Sequence, residues 1–246
     1  VAAIFFEIHK DIPREGPGSN ESTRKAYGLL QGLPPRPQIL DIGCGPGMQT
    51  LELARLTDGS ITAVDTHEPF LAELTRRAAA AGLQGKITPL VASMFSLPFP
   101  AKSFDVIWSE GAIFIIGFER GLREWRSYLK PNGFLAVTEI SWLRRDLPDE
   151  VAQFWAANYP AMKSVGENID LIRQTGYVPV DHFVLPESDW WNDYYDPLEK
   201  RVAVLREKYA DHPDALAQLA ETQAEIDLYR KYADCYGYVF YLMQAR

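Results

Sequence analysis

Short apolar blocks recur along the first 140 positions, each ending at a turn and followed by a longer stretch with helical spacing. Residues 39–42 (Ile-Leu-Asp-Ile) read as a buried strand, and a glycine-rich turn leads from them into a helix over 48–56. The next strand covers 61–64 and ends at Asp65. A helix over 69–81 follows, with Pro69 near its start and Gly82 after its end, where each residue suits a helix terminus. Strands over 87–92 and 104–108, a helix over 119–129, a Pro131-Asn132-Gly133 turn and a strand over 134–140 complete the series. Strands that alternate with helices in this way predict a parallel sheet covered by helices on both faces.

Beyond position 140 the pattern loosens. Residues 146–175 read as mostly helical, 177–185 as a sixth strand, and 190–195 as a dense aromatic group. Asp196-Pro197-Leu198-Glu199 has the form of a helix start, with Asp as cap, Pro at the first helical position and Glu reaching back. Leu216, Leu219, Ile226, Tyr229 and Ala233 follow a helical stripe, and 236–243 reads as a last, β-rich strand. Near the other end, 11–21 is polar and rich in turn residues, and Ser19 or Asn20 caps a helix running to about Leu30. No repeat or linker separates these parts. The chain therefore reads as a single domain over 1–246: an N-terminal lid and helix (1–32), a cofactor-binding core (37–140), insertions and substrate-side elements (141–235) and the last strand (236–246).

Composition narrows the partners. The net charge is −8 and Lys and Arg are scattered, so the surface repels phosphate backbones and nucleic acid is not an expected partner. No apolar run approaches the roughly 18–20 residues of a membrane span, so no membrane partner is expected either. The first eight residues are too short an apolar stretch for a signal peptide, and Val in place of Met at position 1 points to a trimmed or lost start. Cys44 and Cys235 are isolated and no His/Cys/Asp cluster has metal-ligand spacing. That usage fits a reducing cytoplasm and no metal.

The turn Asp41-x-Gly43-x-Gly45-x-Gly47 decides the cofactor. Glycine permits the tight turn and lets a ligand approach the backbone N–H groups. A dinucleotide site wants its third glycine one residue later, where this chain has Met48, and no Gly-Lys-Ser/Thr follows to make a P-loop. The pattern resembles motif I of the class I S-adenosylmethionine-dependent methyltransferases. Asp65, with Thr66 beside it, matches the family's ribose-binding acid, although an acid there serves NAD equally well. Ala92-Ser93-Met94, followed by Leu97-Pro98-Phe99, resembles the segment after strand three, where an Asp usually binds the adenine amino group; Ser93 departs from that pattern. Phe104-Asp105-Val106-Ile107-Trp108-Ser109 resembles motif IV, and Leu129-Lys130-Pro131-Asn132-Gly133-Phe134-Leu135 the turn before strand five. More narrowly, the chain is similar to the small-molecule branch that includes the ubiquinone/menaquinone-type enzymes. Trp108-Ser109-Glu110-Gly111-Ala112-Ile113, with Gly16-Pro17-Gly18-Ser19, resembles bacterial methyltransferases of unknown substrate.

The resemblance implies a Rossmann-like, doubly wound α/β fold: a mostly parallel seven-stranded sheet with a helical and aromatic insertion in the C-terminal half. It implies S-adenosyl-L-methionine as cofactor and S-adenosyl-L-homocysteine as product. Cofactor contacts are expected from Asp41, Gly43, Gly45, Gly47, Asp65, Thr66, Ser93, Met94 and Ser109. The implied activity is methyl transfer to a small-molecule acceptor by in-line displacement. A non-catalytic S-adenosylmethionine-binding protein and an NAD-dependent dehydrogenase are the alternatives.

Acceptor-side candidates sit on the loops at the carboxyl ends of the strands. Glu110 is the candidate catalytic residue, as a base or as acceptor for the cofactor's ammonium group; the competing reading is a loop carboxylate bonded to its neighbours. Glu139 reads as a structural partner for a buried N–H or Arg. His182 reads as packed in its strand, His67 as flanking the adenine, and His9 and His212 as surface residues. Cys44 reads as a small packed residue. Trp142, Trp155, Tyr159, Trp190, Trp191, Tyr194 and Tyr195 form either a core for the insertions or the roof of a pocket for a hydrophobic or aromatic acceptor. An apolar insertion also allows a homodimer. Arg14–Asn20 is either a lid over the cofactor or an ordinary loop.

Overall fold

The computed structural model describes residues 4, 7–10 and 12–246, so most of the first eight residues, and Asp11 of the turn-rich segment, lie outside the described residues. Ser19 accepts a hydrogen bond from the Ser22 backbone N–H at 3.1 Å and starts α1 (Asn20–Gly28). The alternating series follows as β1 (Gln38–Ile42), α2 (Met48–Leu56), β2 (Ser60–Asp65), α3 (Glu68–Ala80), β3 (Ile87–Val91) and β4 (Phe104–Ser109). The short α4 (Ile113–Ile116), α5 (Phe118–Trp125) and a 3-10 turn (Arg126–Tyr128) lead into β5 (Leu129–Trp142). The second half comprises α6 (Asp149–Asn158), β6 (Lys163–Ser164), α7 (Val165–Gln174), β7 (Tyr177–Val184), α8 (Glu187–Trp190), α9 (Asp196–Lys208), α10 (Pro213–Tyr232) and β8 (Tyr236–Ala245).

These strands form one sheet in the order β3-β2-β1-β4-β5-β8-β7, with β6 paired to the end of β5. Every pairing is parallel except the two that β8 makes. The eighth strand, β6, is two residues long, too short to leave a period in the sequence. Helices cover both faces, which is why β1 is apolar on both sides. Ile39, Val106 and Trp108 pack into the core on one face, and Leu40, Ile42 and Ile107 into the core on the other.

Two expected boundaries change. Strand β5 begins at Leu129 instead of 134, because Leu129 already pairs with Phe104 and a register shift absorbs the turn at Asn132, whose φ is 63°. Asp196 is not a helix cap. The backbone is helical from Glu187, passes through one π turn over Trp191–Tyr195 and continues into α9. The wider turn gives Pro197 the room its ring needs inside a running helix.

Gly47 shows why the turn after β1 needs glycine at its end. Its φ is +86°, and a Cβ there would lie 2.2 Å from Leu74 Cδ1 of α3. Gly47→Ala is expected to cost about 2 kcal/mol of stability or more, from left-handed strain plus overpacking, as read by urea unfolding.

Candidate functional site

The carboxyl ends of β1, β2 and β4, and the segment after β3, open onto a cavity of about 620 Å³. At one end lie Gly43, Gly45, Asp65, Thr66, Ser93 and Met94. A Cβ on Gly43 would lie 2.5 Å from the Ala112 Cβ, so glycine lets the turn and the loop after β4 share this space. The Gly43 and Cys44 N–H groups donate to the Val64 carbonyl at 2.9 and 3.1 Å. Asp65 then pins both walls: its Oδ2 accepts from the Gly45 N–H at 3.0 Å and its Oδ1 from the His67 N–H at 2.9 Å. A carboxylate offers about four acceptor sites, so two stay open for hydroxyl donors. Ser93 Oγ accepts from the Phe95 N–H at 3.3 Å. Cys44 is 1% exposed, a packed residue as expected.

Asp41, Gly47 and Ser109 do not line the cavity. Asp41 lies buried beneath the turn, where the Thr50 hydroxyl donates to it at 2.6 Å and the Gln49 amide at 3.4 Å. Gln49 also donates to the Cys44 carbonyl at 3.0 Å, so Asp41 shapes the glycine turn from behind. Burial pushes the Asp41 carboxyl up to about 7. Ser109 donates to the Ile42 carbonyl at 2.8 Å and ties β4 to β1.

The segment over 12–19 lies across this end. Glu15, Gly16 and Pro17 line the cavity, and the Gly18 N–H donates to the Asp189 carbonyl at 3.0 Å. Arg14 Nη1 donates to Glu110 Oε2 at 2.9 Å, with both side chains 4% exposed. Glu110 Oε1 also accepts from Thr23 Oγ1 at 2.7 Å and Trp108 Nε1 at 2.9 Å. Glu110 thus lines the cavity as a carboxylate with three donors, an arrangement suited to fastening the N-terminal segment and poor for a free base. Arg14 Nε is buried and has no hydrogen-bond partner among the described residues.

Two histidines exchange their expected environments. His9, expected at the surface, is buried and lines the cavity, with Nδ1 2.8 Å from Glu15 Oε2. His182, expected to be packed, is exposed, because β7 is the edge of the sheet. His67 precedes α3 and lines the cavity, while His212 is exposed.

The other end of the cavity is aromatic. Trp155, Tyr159, Trp190 and Tyr194 line it, together with Ile140, Tyr238 and two polar residues of α10, Thr222 and Glu225. Trp142, Trp191 and Tyr195 do not line it and pack against the core instead. All seven aromatics belong to that core or pack against it, and four of them, Trp155, Tyr159, Trp190 and Tyr194, also line the cavity. Glu225 was not singled out from the sequence. A signal existed: Gln218, Thr222, Glu225 and Tyr229 share one helical stripe.

Behind Tyr159 lies Glu139, which accepts from the Tyr159 hydroxyl at 2.7 Å, while its other oxygen is buried with no hydrogen-bond partner among the described residues. Burial pushes its carboxyl up to about 8. The folded state therefore binds this proton more tightly than the unfolded chain does. The resulting stability is fully present below the ordinary carboxylate value and is lost as pH rises through about 8. Glu139→Gln is expected to match the parent near pH 5 and to exceed it in stability above pH 8, as urea midpoints at the two pH values would show.

Among the described residues, no group of three or more His, Cys, Asp or Glu could hold a metal ion, and no helix is long and apolar enough to cross a membrane.

Residues 39–133 match the family described as a methyltransferase domain. A sterol 24-C-methyltransferase of Gibberella zeae is 30% identical over 119 residues, covering 48% of this chain and 31% of that protein. A 27-O-demethylrifamycin SV methyltransferase of Amycolatopsis mediterranei is 24% identical over 236 residues, covering 92% of this chain and 84% of that protein. The chain spans 31% to 45% of the length of the fungal sterol relatives it matches. A SAM-dependent methyltransferase from Thiobacillus denitrificans, crystallised with S-adenosyl-L-homocysteine, shares the fold: its TM-score is 0.85 at 21% identity, over 100% of this chain and 99% of that one.

Proposed function

We propose that this chain, whose residues 39–133 match a methyltransferase-domain family, transfers a methyl group from S-adenosylmethionine to a hydrophobic or aromatic small molecule. One observation carries the reading. One cavity of about 620 Å³ is lined both by the glycine turn and Asp65 and by the aromatic wall of Trp155, Tyr159, Trp190 and Tyr194, so two molecules can meet in it.

The residues at the glycine end fit the cofactor. Gly43 and Gly45 make the tight turn at the edge of the cavity, Asp65 and Thr66 stand where ribose hydroxyls need acceptors, and Ser93 and Met94 form the wall for the adenine. When bound, the cofactor supplies an activated methyl on a positively charged sulfur. Asp41, Gly47 and Ser109 hold the turn in shape from outside the cavity. Glu110 is a positioning residue: it keeps Arg14 and the 12–19 segment across the site, which excludes water and orients the two molecules. In this reading the chain works as one unit, with 37–140 serving the cofactor and 141–235 the acceptor. The buried free thiols of Cys44 and Cys235 suit a reducing cytoplasm.

Calorimetry with S-adenosylhomocysteine tests the cofactor, with NADH as control. Micromolar binding of the former alone is expected, and no heat at millimolar ligand refutes the reading. Transfer of labelled methyl to at least one of a panel of apolar aromatic acceptors then separates an enzyme from a non-catalytic binder.

A further inference from the structure

The aromatic end of the cavity holds a carboxylate that methyl-donor binding does not use. Glu225 lies on the inner face of α10, one turn from Thr222, and both residues line the cavity. One oxygen of Glu225 accepts from the Tyr195 hydroxyl at 2.8 Å. No Lys or Arg among the described residues pairs with it. Of the cations on α9 and α10, Lys208 pairs with Glu7, Arg230 with Glu199 and Asp227, and Lys231 with Glu150, and Arg201 donates to the Glu7 carbonyl. His9 favours the ionised form of Glu225 and lies 2.8 Å from Glu15. Burial outweighs that help and raises the Glu225 carboxyl above its ordinary value.

A second acid lies close by. Glu139 and Glu225 both act on the Tyr238 phenol, which is held protonated by burial first and by these two acids next. Rings crowd the same place: Trp190 is 5.3 Å from Tyr238, and Tyr194 is 5.1 Å from Tyr195, centroid to centroid. Aromatic faces carry negative potential and attract cations. A buried carboxylate gains most from a cationic partner, because water no longer solvates it. The ring faces and the Glu225 carboxylate share one sign of potential, and no Lys or Arg among the described residues pairs with that acid.

We propose that this end of the cavity is a binding site for an ammonium group, so that the acceptor is an amine-bearing apolar or aromatic molecule held through Glu225, Tyr194 and Tyr238. The proposal rests on the methyltransferase reading and names the substrate class of the same site. Glu225 is a specificity-determining residue in it. An ammonium takes the place of the proton that burial otherwise keeps on the acid, whereas an alcohol of the same shape gains one neutral hydrogen bond.

Calorimetry on the chain loaded with S-adenosylhomocysteine tests this with matched pairs: 2-phenylethylamine against 2-phenylethanol, and tryptamine against tryptophol. Each amine is expected to bind about tenfold tighter than its alcohol or better. Glu225→Gln is expected to bring each pair within about twofold while S-adenosylhomocysteine affinity stays unchanged. Equal binding of alcohol and amine, no binding of either amine, or an amine preference that survives Glu225→Gln overturns the proposal. If Glu225→Gln also loses S-adenosylhomocysteine binding, Thr222→Lys replaces it: a cation on the same wall should abolish amine binding and spare the alcohols. Should the unmutated chain fail to bind S-adenosylhomocysteine, the methyltransferase reading falls, and the same pairs titrated into the unloaded chain still decide the ammonium site.

Discussion

Asp65→Ala is expected to weaken S-adenosylhomocysteine binding by about 100-fold, near 3 kcal/mol. Two losses add. The ribose hydroxyls lose a charged acceptor, and hydrogen bonds to charged groups are each worth about 1.5–3 kcal/mol. The cradle also loosens, because the same carboxylate holds the Gly45 N–H at 3.0 Å and the His67 N–H at 2.9 Å. Asp65→Asn separates the two contributions. Its side-chain oxygen can hold one of those N–H groups, so it should fall between parent and alanine variant. A loss below about fivefold for Asp65→Ala would mean that the ligand makes no use of this carboxylate.

Glu110→Ala is expected to destabilise the fold by about 3–5 kcal/mol, the usual cost of breaking a buried ion pair by removing one member. Arg14 and Glu110 are each only 4% exposed, so the variant leaves a guanidinium inside the protein with no carboxylate. Thr23 and Trp108 also lose their acceptor. The 12–19 segment should open and become sensitive to protease. Replacing both partners by apolar residues, Arg14→Met with Glu110→Leu, should recover most of the stability, because no charge is then stranded. This cycle also separates positioning from base catalysis. If Glu110 positions the segment, Glu110→Gln and Arg14→Ala lower turnover alike. If it is a base, Glu110→Gln alone abolishes turnover while its unfolding midpoint holds.

The glycine end of the cavity was legible because it is local. Gly43 and Gly45 sit on one turn, and Asp65 ends the neighbouring strand, so spacing along the chain becomes proximity once β1 and β2 pair. Gly47 and Asp41 belonged to the same motif, yet motif spacing cannot separate a residue that faces a ligand from one that packs behind it. Gly47 meets Leu74 and Asp41 meets Thr50, partners contributed by two different helices. Glu110 lines the cavity, but its partner Arg14 lies 96 residues away, so no spacing along the chain revealed the pair.

The aromatic end of the cavity was not legible in the same way. Its wall joins His9, Ile140, Trp155, Tyr194, Glu225 and Tyr238, drawn from the N-terminal segment, two strands and the inserted helices. The stripe of Gln218, Thr222, Glu225 and Tyr229 was visible, but polar residues at helical spacing look the same whether they face water or a cavity. His9 and His182 show the same limit, since the burial of a single side chain depends on what the rest of the chain lays over it.

The sequence by itself determined the alternation of strand and helix, the glycine turn and the acid at the end of β2. These follow from local backbone preference and a hydrophobic period that acts over a few residues. Only the tertiary structure decided which motif residues reach the cavity, that Glu110 arrives bonded to Arg14, and that Glu225 lines the cavity beside the aromatic rings with no Lys or Arg paired to it among the described residues. Those outcomes are set by burial and by contacts between segments far apart in the chain, and no short-range pattern encodes them.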